Sequence, residues 1–80
     1  MSHIHHVRLH GPPEAHPETA AIRFIALLPA TWHATVAECQ GTTARLRITT
    51  PPATTPAETN RTVAAVLAEP AFRHWRFTVQ

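Results

Sequence analysis

Eight prolines, at positions 12, 13, 17, 29, 51, 52, 56 and 70, constrain this chain of 80 residues more than any other feature. Proline fixes φ and lacks an N–H, so no helix interior or central strand runs through it. Every regular element must therefore fit between prolines or begin on one. The stretch 30–50 is the only interval with room for two strands and a turn.

Within those limits the periodicities are readable. "IHHVRLH" (4–10) alternates loosely, with Val7 and Leu9 on one side, and predicts a strand. "GPPEAHP" (11–17) is loop. A helix is predicted over 17–28. Pro17 stands at its first position, Glu18 in its first turn, and Ala21, Phe24, Ile25 and Leu28 along the apolar stripe. Residues 32–39 are rich in β-branched and aromatic side chains and predict a strand. "QGTT" (40–43) makes the turn. "ARLRITT" (44–50) is a strand with Ala44, Leu46 and Ile48 on one face and Arg45, Arg47 and Thr49 on the other. "TPAE" (55–58) is a capping box with proline just inside the helix start, and it opens a helix over 56–69 with Val63, Val66 and Leu67 inward. A last strand over 74–79 puts Trp75, Phe77 and Val79 inward and His74, Arg76 and Thr78 outward.

The order β-α-β-β-α-β in one domain, 1–80, predicts an α+β fold of ferredoxin-like topology. Right-handed crossovers then place both helices on one face of a four-stranded antiparallel sheet of order 4-1-3-2. The closing run "VAAVLAEPAFRHWRFTV" (63–79) is a helix, a short turn and a strand alternating aromatic and basic residues. It resembles the end of ACT-like regulatory domains, such as the soluble C-terminal domain of MgtC/SapB-type membrane proteins. The resemblance implies small-molecule sensing or dimerisation, with Gly11 in the place of the glycine that many ACT domains carry after their first strand.

Composition sets the remaining bounds. There is no lysine and no aspartate, and the net charge is +2. All-arginine basicity is what a GC-rich coding bias produces, so it says little about function by itself. No apolar run approaches the roughly 20 residues of a membrane span, and no secretory leader is evident. The single cysteine, Cys39, cannot form an internal disulfide, which fits a reduced, cytoplasmic setting.

Arginine placement carries more information than arginine number. The predicted topology brings Arg8, Arg45, Arg47 and Arg76 to the bare face of the sheet, along with His6, His10, His33, Thr35, Thr49 and Thr78. That predicts a surface for an anionic ligand or partner group. Nucleic acid is less suited to it, because Trp75 and Phe77 point inward and leave no stacking platform. A homodimer is expected, since small open sheets commonly hide a face or an edge strand in a partner.

Two histidine sets suggest metals. His10, His16, His74 and Cys39 fall at one end of the predicted fold and are donors suited to zinc or copper. In "SHIHHVRLH" (2–10), His3 and His5 share a face and can catch nickel or copper, and Met1-Ser2-His3 resembles an amino-terminal copper site only while Met1 is retained.

Catalytic constellations are sparse. No Ser/His/Asp set exists and no glycine-rich phosphate loop. His16 at a helix start resembles the phosphocarrier histidine of HPr-type proteins, but Glu18 stands where those carry an arginine. A cofactor-free dimeric α/β-barrel enzyme, an isomerase or monooxygenase with His33, His74 or Trp32 in its cavity, is the enzymatic rival. The sequence favours a non-enzymatic ligand-binding and dimerisation module with a regulatory or accessory role.

Overall fold

A computed structural model describes residues 3–79. The elements are β1 (His3–His10), α1 (Pro17–Leu27), β2 (His33–Gln40), β3 (Thr43–Thr50), α2 (Pro56–Leu67), a 3-10 turn (Pro70–Phe72) and β4 (Arg76–Val79). The four strands form one open antiparallel sheet of order β2-β3-β1-β4, which read from the β4 edge is 4-1-3-2. Among the described residues no helix is long and apolar enough to cross a membrane.

Strand alternation builds the core. In β1–β3, Val7 faces Leu46 and Leu9 faces Ala44. These four and Ile48 are completely buried. Ala20, Ala21 and Phe24 from α1, Val63 and Val66 from α2, and Phe72 join them in one cluster. The helix residues thus complete a core begun by one side of the sheet, while Arg8, Arg47, Arg76 and Thr78 at the alternate positions stay exposed.

Proline decides where the helices stop. Leu28, before Pro29, takes ψ 155. Glu69, before Pro70, takes φ −64 and ψ 145. The ring of a following proline disfavours helical backbone at the preceding residue, so both helices end slightly earlier than their apolar patterns suggest. At the start of α2 the Thr55 hydroxyl accepts a hydrogen bond from the Glu58 N–H at 3.1 Å. A cap of this kind contributes about 1 kcal/mol. Thr59, fully buried, donates its hydroxyl to the Thr55 carbonyl at 3.2 Å.

Three local features differ from the sequence expectation. β4 begins at Arg76 rather than at residue 74, because Phe72, Arg73 and Trp75 spend their N–H groups on a tight turn reaching back to Glu69, Pro70 and Phe72. His74 lies inside that turn at φ 70, in the left-handed region, and not on the sheet. Finally, β2 carries a bulge between Val36 and Glu38. Val36 pairs with Leu46 and Glu38 with Arg45, so Ala37 is the extra residue. Beyond it the strand's sides exchange: Glu38 and Gln40 join the side bearing Arg45, and Cys39, opposite Ala44, packs against the core.

The β2–β3 hairpin turns through Gly41 and Thr42. Gly41 has φ 60, which glycine adopts without steric cost, at the first position of a two-residue hairpin loop.

Candidate functional site

The side chains that alternate with the core residues of the sheet gather the charge. Arg8 on β1 lies directly opposite Arg45 on β3, and His6 opposite Arg47. On the other flank of β1, His10 faces Arg76 and Arg8 faces Thr78. Cross-strand neighbours on one face have Cβ atoms about 5 Å apart, so Arg8 and Arg45 bring two like charges side by side. Such a pair destabilises the sheet unless counter-charge is present.

That counter-charge is partial. Glu38, turned to this side by the bulge, pairs with Arg45 at 3.0 Å. This is the one ion pair among the described residues, and it leaves Arg8, Arg47 and Arg76 without a carboxylate. Both side chains of the pair are about half exposed, with side-chain values of 43% and 51%, so water screens it and its worth is small.

Two shallow hollows flank Arg45. One, of about 420 Å³, is lined by Arg8, His10, Glu38, Gln40, Thr43 and Arg45. The other, of about 310 Å³, is lined by His6, Ala37, Arg45 and Arg47. Each holds guanidinium donors beside an imidazole, and guanidinium groups bind carboxylate or phosphate oxygens through paired N–H donors.

All four predicted ligand residues are on the same side of the sheet, but only three adjoin. Arg8, Arg45 and Arg47 line the two hollows, which share Arg45, while Arg76 stands across β1, beside His10. The sequence pattern alone gives no side for Glu38, Gln40 or Thr43. The bulge that places Glu38 and Gln40 has no glycine or proline to mark it.

The predicted metal donors do not converge. His10 belongs to the hollow it shares with Arg8 and Arg45. His16, the residue just before α1, lines a separate hollow of about 340 Å³ with Glu14, Arg23, Phe72 and Trp75. Cys39 faces the core side, and His74 lies in the turn before β4. Burial, then the nearby negative charges of Glu18 and Glu38, push the Cys39 thiol upward, away from the thiolate a metal needs. Among the described residues no three His, Cys, Asp or Glu side chains cluster for a metal.

Two of the other histidines, His3 and His5, have partners of their own. His3 donates its Nε2–H to the Pro52 carbonyl at 3.1 Å. His5 shares a hydrogen bond with the Thr50 hydroxyl at 3.3 Å. Met1 and Ser2, which the amino-terminal copper reading requires, lie outside the described residues.

His5 also supplies a pH-dependence. Burial, and then the positive charge of His3, lower its pKa below the usual histidine value of 6.5. Protonation then favours the unfolded chain, which binds the proton more tightly. The stability that neutral His5 contributes is complete above pH 6.5 and falls away as the pH drops toward the lowered folded-state value. Melting temperature is expected to fall with acid over this range, and His5→Gln is expected to flatten the slope. An unchanged slope in that variant would assign the effect elsewhere.

Gly11, which the ACT-like resemblance places at a ligand, is covered from within. A Cβ built there would lie 2.7 and 2.8 Å from Cη2 and Cζ2 of Trp75 and 2.6 Å from the Cβ of Ala15. Against protein-family models, curated proteins and solved structures alike, the chain finds no match.

Proposed function

We propose that this chain is a small ligand-binding module that takes up an anionic group on the bare side of a ferredoxin-like sheet, with both helices on the opposite side, in a regulatory or accessory role. The observation that supports it is the facing pair Arg8 and Arg45, with Glu38 as the one carboxylate paired to it among the described residues. The free protein bears that repulsion, and a phosphate or carboxylate bridging the two guanidinium groups would relieve it. A compact anion suits this surface better than a nucleic acid. Trp75 and Phe77 are packed against the core, so no ring is offered for base stacking.

Titration calorimetry with tripolyphosphate at low ionic strength tests the reading. Binding is expected, weakening as salt is added. Arg8→Ala and Arg45→Ala are each expected to cost about tenfold in affinity, the worth of one hydrogen bond to a charged group. The double variant Arg45→Glu/Arg47→Glu is expected to abolish binding while the circular dichroism spectrum stays native. Undiminished binding in that double variant would sink the proposal, as would no binding by the parent chain.

A further inference from the structure

The two edges of the sheet are managed differently. β4 is four residues long and begins with Arg76, and a short charged strand is a poor template for another chain. β2 is eight residues long, has no strand on its outer side among the described residues, and carries one formal charge, Glu38. An edge of that length and composition presents a row of free backbone donors and acceptors.

Apolar surface accompanies this edge. Val36, on the core side opposite Leu46, is 41% exposed. Ile22 on α1 is 68% exposed. α1, which carries Ile22, packs against β2, so the edge strand and the helix beside it each leave a large apolar side chain exposed.

We infer that β2 pairs antiparallel with β2 of a second copy of this chain, about a twofold axis through Thr35, with Val36 and Ile22 closing the helix side of the interface. The strand is its own complement in that register. Thr35 faces Thr35 of the second copy, a favourable cross-strand pair. Ala34 faces Val36, so the apolar side chains meet on the helix side. His33 faces Ala37, with Glu38 beside it, so the imidazole end of each strand meets the carboxylate end of the other. The alternation of sides is intact from His33 to Ala37, because the bulge enters only between Val36 and Glu38. Pairing therefore spans the regular half of β2 and stops where the ladder breaks. The result is one continuous sheet, running β4-β1-β3-β2 and back through the second copy, with both arginine clusters on the same side. The inference is independent of the anion reading, since Arg8, Arg45, Arg47 and Arg76 all lie on other strands.

Sedimentation velocity of the parent chain over a concentration series is expected to show a reversible dimer. Val36→Glu and Ile22→Glu change exposed side chains, so both should fold, and each is expected to weaken the dimer by about tenfold or more. A second test reads the register. Facing residues in an antiparallel pair have Cα atoms about 4.5 to 5.5 Å apart, within disulfide reach. Thr35→Cys in a Cys39→Ser background is therefore expected to cross-link two copies on mild oxidation, whereas Thr78→Cys in the same background is not. A chain that stays monomeric throughout overturns the inference and leaves the edge to a strand from another protein. A dimer indifferent to both glutamates, or one cross-linked through Thr78→Cys instead, overturns it equally.

Discussion

Phe72→Ala is expected to lower the unfolding free energy by about 3 to 5 kcal/mol, the usual cost of emptying a buried phenylalanine site. Phe72 is 1% exposed although it belongs only to a three-residue 3-10 turn. Its ring meets Phe24 edge-on, with centroids 6.2 Å apart and planes at 89°, and Trp75 at 6.3 Å and 82°. It thereby links α1 to the turn that launches β4. Such edge-to-face contacts add to plain area burial by roughly 0.5 to 1.5 kcal/mol each. Domains of this kind have only about 5 to 15 kcal/mol in total, so the variant should be close to unfolding without denaturant. Urea titration gives the check: the midpoint should drop sharply, and Phe72→Leu should recover more than half of the loss. A loss of unfolding free energy below about 1 kcal/mol would mean that the ring is not the plug these contacts describe.

Gly11→Ala is the second large effect, and it arises from crowding. The added methyl would fall within 2.8 Å of three carbon atoms, two on the Trp75 ring and one on Ala15. No non-bonded carbon pair tolerates that approach, and the indole is wedged against the core, so backbone or ring must shift. Overpacking of this sort costs about 1 to 3 kcal/mol. The contact can be isolated. Phenylalanine at position 75 lacks the benzo atoms that would collide, so Gly11→Ala should cost much less in a Trp75→Phe background. A double-mutant cycle with no coupling between positions 11 and 75 would show that the methyl is accommodated some other way. Intrinsic tryptophan fluorescence supplies an independent reading, since Trp75 should move toward water in the single variant.

The two effects mark a region where the sequence was least legible. β1 and β3 could be read directly, because Val7, Leu9, Ala44, Leu46 and Ile48 keep a strict two-residue period and that period alone sets their side of the sheet. The same parity placed Arg8, Arg45, Arg47 and Arg76. Proline positions gave the helix starts, Pro17 and Pro56, to the residue. Residues 70–75 offered no such period. Phe72 is buried by a turn with too few residues to show a pattern, and His74 occupies a left-handed conformation that nothing in its neighbours announces. The metal reading of His10, His16, Cys39 and His74 needed that segment to be strand and β2 to be regular. It is neither, and the four donors therefore lie in different surroundings.

The irregularity in β2 has a consequence for how this chain tolerates change. A strand is a device that counts in twos, and one surplus residue reverses the count for everything after it. Here the surplus at Ala37 puts a carboxylate outside beside Arg45 and a thiol inside against apolar neighbours. The same residues paired without the bulge would hold these side chains in the opposite arrangement, with Glu38 opposite Ala44 on the core side and Cys39 on the side of the arginines. The electrostatic character of this surface therefore depends on the count of residues in a strand as well as on their kind. Deleting Ala37 would regularise the ladder and leave Glu38 opposite Arg45, whereas drawing Ala37 into the ladder would reverse every side chain after it.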